Sequence, residues 1–128
     1  MSGVKRSVRL THDLESASVA RAWTIEVLGT LGRLDPHDQA NVEVMVSELV
    51  ANVVKHTTSR PLLSVRREDG LVVVEVEDDD PEPPVVRPLD PQGVGGNGLR
   101  IVDAWSEEWG VRSRDRAGKV VWFAMRAC

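Results

Sequence analysis

The 128-residue chain has no tyrosine, one phenylalanine and one cysteine. The lone cysteine, Cys128, stands at the last position and excludes a disulfide framework or a cysteine-rich metal centre. A reducing, cytoplasmic setting is then the expected one. No apolar run approaches the roughly 20 residues of a membrane span. Met1-Ser2-Gly3-Val4-Lys5-Arg6 leads into no apolar signal-peptide core, so neither membrane nor export is expected. A strong charge excess is also missing. The 16 Lys+Arg and 20 Asp+Glu leave −4 with no basic run, which argues against direct nucleic-acid binding. With so few other aromatics, Trp23, Trp105, Trp109 and Trp122 are expected to act as core aromatics, and an exposed one would mark a partner surface.

The chain is 41% hydrophobic and 28% charged, which suits one ordinary globular domain over residues 1–128. Alternation suggests an edge strand over Val4–Leu10. Leu14, Val19, Ala22, Trp23, Val27 and Leu31 recur near helical spacing and predict a helix over 14–31. Asp35-Pro36 is an N-cap followed by proline at the first helical position, opening a second helix from Pro36 to His56. Leu62–Arg67 and Leu71–Asp78 flank Asp69-Gly70, a hairpin signal. Gly98–Ser106 reads as a short helix, and Trp109–Arg114 with Val120–Met125 as a last hairpin. The order β-α-α-β-β-loop-α-β-β implies an α+β fold, a mostly antiparallel sheet with helices on one face. Five of seven prolines (Pro81, Pro83, Pro84, Pro88 and Pro91) fall between Asp79 and Gly96, beside Gly93, Gly95 and Gly96. Regular structure is not expected there, and so long a loop suggests a functional lid.

Three features carry chemistry. On the second helix, Glu48, Asn52 and His56 recur at i, i+4, i+8, a stripe roughly 80° wide, with Asn41 and Lys55 on the same side. The helix is otherwise apolar almost all round, so the stripe should face solvent, partners or a wet cavity. A carboxylate there can act as general base, and an amide oxygen suits a hard cation such as Mg²⁺. His56 could touch phosphate or simply sit at the negative end of the helix dipole, the second being favoured. On the strand Leu71–Asp78, Val72, Val74, Val76 and Asp78 share one face. Asp78 either points inward, where it could read the amino group of a base, or merely begins the turn. Gly93-Val94-Gly95-Gly96-Asn97-Gly98-Leu99 then runs from the loop into a helix, an arrangement that can hold an anion. No strand precedes it and no Gly-Lys-Ser/Thr is present, so it is neither a dinucleotide-binding fingerprint nor a P-loop.

The order of these motifs resembles the GHKL ATPase/kinase superfamily with its Bergerat fold, and within it the anti-sigma-factor serine/threonine kinases. Ser47–His56 is similar to the family's N-box, Val74–Asp78 to its adenine-recognition strand, and Gly96–Val102 to its second glycine box. The resemblance implies a two-layer α/β sandwich and ATP with Mg²⁺ as cofactors. It makes Glu48 the catalytic base, Asn52 the Mg²⁺ ligand and Asp78 the adenine reader. Gly93, Gly95, Gly96, Asn97, Gly98 and Leu99 would lie at the nucleotide, with His56 nearby and residues 79–96 as an ATP lid. It also implies an anti-anti-sigma acceptor of STAS fold, a sequestered sigma factor and possible homodimers. Two positions depart from the pattern. Asp78-Asp79-Asp80-Pro81-Glu82 replaces an Asp-x-Gly-x-Gly box, and Val120 stands where a threonine near the adenine is common, which is expected to remove a hydroxyl from the pocket. Two other functions fit the departures or the motifs: a nucleotide-gated or nucleotide-free interaction module without turnover, and a detached ATPase domain serving a histidine kinase. His12-Asp13-Leu14-Glu15 looks like a phospho-accepting histidine box, but the chain has no room for the helix pair that should surround it.

Overall fold

The structure, a computed structural model, describes residues 4–80, 98–114 and 118–128. Its elements are β1 (Lys5–Arg9), α1 (Ser16–Leu31), α2 (Pro36–His56), β2 (Leu62–Glu68), β3 (Leu71–Asp78), α3 (Gly98–Trp105), β4 (Glu108–Ser113) and β5 (Lys119–Arg126). The strands form one sheet in the order β1-β2-β3-β5-β4, with every pairing antiparallel. The helices cover one face, giving the expected two-layer α+β sandwich. Among the described residues no helix is long and apolar enough to cross a membrane.

Local chemistry accounts for the element boundaries. Asp35 accepts a hydrogen bond from the Asp38 amide at 2.8 Å, and Pro36 follows it, so α2 starts where its cap and proline dictate. Lys55 and His56 occupy its last turn, where positive charge suits the helix dipole. Asp69 (φ 51°) and Gly70 (φ 77°) both adopt positive φ, the requirement of a two-residue hairpin turn matched to strand twist.

The core lies between the sheet and the helices. Val42, Met45, Val46 and Val50 of α2 are fully buried against Leu63, Val65, Val72, Val74 and Phe123. The stripe on α1 differs from the sequence expectation. Leu14 precedes the helix and is 73% exposed, and Val19 is 54% exposed. Ala20, Thr24, Val27 and Leu28 make the buried side instead. A set of residues near helical spacing was thus rotated off the true face, because Ala20 and Thr24 carried too little hydrophobic signal to compete with Val19. The tryptophans differ as well. None of the four reaches full burial, Trp105 is 41% exposed, and Phe123 is the deep aromatic. Trp23 and Trp109 pack on the margin of the core. Trp122 lies on the opposite face of the sheet, its indole so close to Gly110 that a Cβ there would come within 2.9 Å of Nε1.

β3 is buried on both faces, although among the described residues no helix covers the outer one. Outward-pointing Glu75 is 4% exposed. It binds Lys5 at 3.3 Å, Arg66 at 2.7 Å and Arg112 at 2.6 Å, cations from β1, β2 and β4. Burial pushes the Glu75 carboxyl up, but hydrogen bonds from Arg112 and Arg66 outweigh this and hold it below the ordinary glutamate range. A carboxylate with a lowered folded pKa contributes stability that is fully present above the unfolded value of about 4.3. That stability is lost as pH falls through the folded value. Glu75→Gln should therefore destabilise the fold by about 1–3 kcal/mol at pH 7 and much less at pH 3. Urea unfolding midpoints across that range check this, and an equal loss at both ends would contradict it.

Candidate functional site

The polar stripe of α2 lies against the start of α3. Glu48 and Asn52 are half-buried and His56 is exposed. Gly98, the first residue of α3, is buried directly over the first two. A Cβ at Gly98 would stand 2.9 Å from Asn52 Nδ2 and 3.2 Å from the Glu48 Cβ. The missing side chain is what allows α3 to begin here. Leu99 and Val102 are in the core and hold α3 to the sheet, and Trp109 Nε1 donates to Asp103 at 2.8 Å, tying α3 to β4. The first turn of a helix has amides without intrahelical partners. A carboxylate, a carboxamide and a helix N-terminus therefore converge. Leu99, expected at the nucleotide, has its side chain in the core. Gly93, Gly95, Gly96 and Asn97, and the lid residues beyond Asp80, lie outside the described residues.

Asp78 is the last residue of β3, pairs with Lys119 of β5, and is 2% exposed on the helix-covered face. The alternative that the strand stops at Glu77 is thereby overturned. Asp78 Oδ1 accepts from the Asp80 amide at 2.7 Å and from Lys119 Nζ at 3.2 Å. Burial raises the Asp78 carboxyl above the ordinary aspartate range, and the Asp80 amide and Lys119 offset this only in part. Arg114 braces the same corner, reaching Glu77 Oε1 at 2.5 Å and Asp79 Oδ1 at 2.6 Å, and donating to the Asp78 carbonyl at 3.2 Å. Gly118 turns beside it with φ 96°, where any Cβ would run into the Asp78 carbonyl oxygen. Nearby, His56, Thr57, Thr58, Ser59, Asp79 and Asp80 line a cleft of about 360 Å³. Ser59 Oγ accepts from the Asp79 amide at 3.2 Å, which joins the end of α2 to the end of β3.

One expectation is corrected by the register. Val120 pairs with Glu77 and faces outward, away from the helices. The residue beside Asp78 is Lys119, which is 8% exposed. Counting back from Phe123 by twos reaches Val121 and then Lys119, so the signal was present in the strand's own alternation. Arg114 gave no comparable signal, since its partners come from another strand.

Among the described residues no group of three or more His, Cys, Asp or Glu could hold a metal ion. A cation at Asn52 would thus share its coordination with substrate oxygens and water, the usual situation for Mg²⁺ beside phosphates.

The sequence profile of the histidine kinase-like ATPase domain matches residues 10–125. Eighteen chains of solved structures match. One is the histidine kinase domain of the Escherichia coli osmosensor EnvZ, 19% identical over 70% of this chain, with a TM-score of 0.49. The match spans 66% of that chain, just under two thirds. A comparison with curated proteins found no match.

The packing at Gly98 yields a prediction. Gly98→Ala should leave the chain folded, since alanine favours helix and the closest obstacle is the flexible end of a side chain. The Asn52 carboxamide should move, seen as a shift of its side-chain amide signals in a ¹H–¹⁵N spectrum. Unchanged signals would contradict the contact.

Proposed function

This chain belongs to the histidine kinase-like ATPase family, and from that premise we propose that it binds Mg-ATP and phosphorylates a protein serine or threonine. The acceptor in this reading is an anti-anti-sigma protein of STAS fold, and the chain itself sequesters a sigma factor until partner exchange releases it. The observation that carries the reading is the closure of Gly98 over Glu48 and Asn52, with Asp78 inward at the end of β3. These residues follow one another along the chain in the order that the resemblance to a Bergerat fold implies.

The residues fit the cofactor chemically. The side-chain oxygen of Asn52 is a hard donor suited to Mg²⁺, and the first-turn amides of α3, which lack intrahelical partners, can meet phosphate. Bound Mg²⁺ would supply charge neutralisation for the transferring phosphoryl group. Asp78 accepts a hydrogen bond from the base and so orients the nucleotide. Glu48 takes the proton of the acceptor hydroxyl as its oxygen bonds to the γ-phosphorus. The bond to the β-phosphate oxygen breaks, and ADP leaves with that electron pair. Such a reaction is chiefly one of positioning and electrostatics, which Glu48, Asn52 and Asp78 can supply.

The test separates binding from turnover. Asn52→Ala should weaken Mg-ATP binding in calorimetry. Glu48→Gln should bind Mg-ATP nearly as wild type but lower phosphate transfer to a STAS acceptor by about 100- to 10,000-fold. Wild-type binding with no transfer to any such acceptor would contradict the kinase reading and favour a nucleotide-gated interaction module.

A further inference from the structure

The apolar ladder between β3 and β5 ends in a charged rung. Val72 pairs with Met125, Val74 with Phe123 and Val76 with Val121, all facing the helices. The next inward pair is Asp78 and Lys119, with side chains only 2% and 10% exposed. Two apolar residues would continue this ladder at lower cost, because a buried ion pair rarely repays its desolvation. The pair is therefore a poor choice for stability, and it stands at the end of β3 where the cleft begins.

Its unused valences define an edge. Lys119 has three N–H donors. One goes to Asp78 Oδ1 at 3.2 Å and one to the Asp80 carbonyl at 3.1 Å. Asp78 Oδ1 already receives two donors, from Asp80 N and Lys119 Nζ. Among the described residues nothing donates to Asp78 Oδ2 and nothing accepts the third Lys119 proton. The rung thus offers one acceptor beside one donor. Its complement is a heteroaromatic edge with a donor beside an acceptor, as in the exocyclic amine and N1 of adenine. Guanine presents a carbonyl and two donors on that edge, and would need both carboxylate oxygens free.

Resting on the nucleotide-binding reading above, we infer that Lys119 is a second base-reading residue, donating to N1 of adenine while Asp78 accepts from its amino group. Lys119 then sets which purine is bound and does so by direct contact.

The experiment measures dissociation constants of Mg-ATP, Mg-1-deaza-ATP and Mg-GTP for the wild type, Lys119→Met and Lys119→Arg. The 1-deaza analogue replaces N1 by C–H and keeps the amine. The wild type should bind ATP about tenfold or more tighter than 1-deaza-ATP, the scale of one charge-assisted hydrogen bond. Lys119→Met should bring that ratio to near one, and Lys119→Arg should keep most of it. Equal wild-type affinity for ATP and 1-deaza-ATP overturns the inference without any variant having to fold. So does tighter binding of GTP than ATP, or a ratio that survives in Lys119→Met. Binding of ATP with no preference for N1 leaves the nucleotide-binding reading standing. Binding of none of the three overturns both.

Discussion

Burial of β3 on both faces constrains nearly everything around it. Its inner side chains, Val72, Val74 and Val76, are at most 1% exposed and form the floor on which α2 packs. Its outer side chains include Glu75, which no helix among the described residues covers. A buried carboxylate must be paired, and three cations from β1, β2 and β4 converge on it. The strands flanking β3 are thereby fixed by charge on one face and by packing on the other. The same two-residue period delivers Asp78 to the inner face, where burial raises its carboxyl.

The candidate site stands on that floor. α2 lies across it with its apolar side down, so the residues left over, Glu48 and Asn52, border α3. Gly98 then decides how closely α3 can approach. Any side chain at that position would push against the Asn52 carboxamide. At the end of β3, Gly118 lets β5 begin against the Asp78 carbonyl, which brings Lys119 beside the carboxylate. Two glycines thus set two close approaches, α3 on α2 and the start of β5 on the end of β3. Arg114 adds a clamp across Glu77 and Asp79 that keeps the end of β3 in register.

Much of this was legible in the sequence because it is periodic. The stripe Glu48, Asn52, His56 follows from 3.6 residues per turn, and the inward aim of Asp78 follows from alternation along β3. The Asp35-Pro36 start of α2 and the Asp69-Gly70 turn follow from local chemistry. What stayed hidden depends on residues distant in sequence. The contact of Gly98 with α2 spans some 50 positions, and the cations around Glu75 come from three separate strands. Lys119 follows from the same alternation once the last strand begins at Lys119 and not at Val120. Leu14 and Val19 misled for a different reason: they are apolar, yet the buried side of α1 is made partly of Ala20 and Thr24, whose burial no hydrophobicity count favours.

The account's central claim is that one nucleotide spans the α2–α3 contact and the Asp78–Lys119 rung. A ¹H–¹⁵N titration of the wild-type chain with Mg-ATP tests it most directly. The account predicts that the signals of Glu48, Asn52, Asp78, Gly98 and Lys119 move together along one saturating curve. Movement confined to another surface, with these five unmoved, would contradict it.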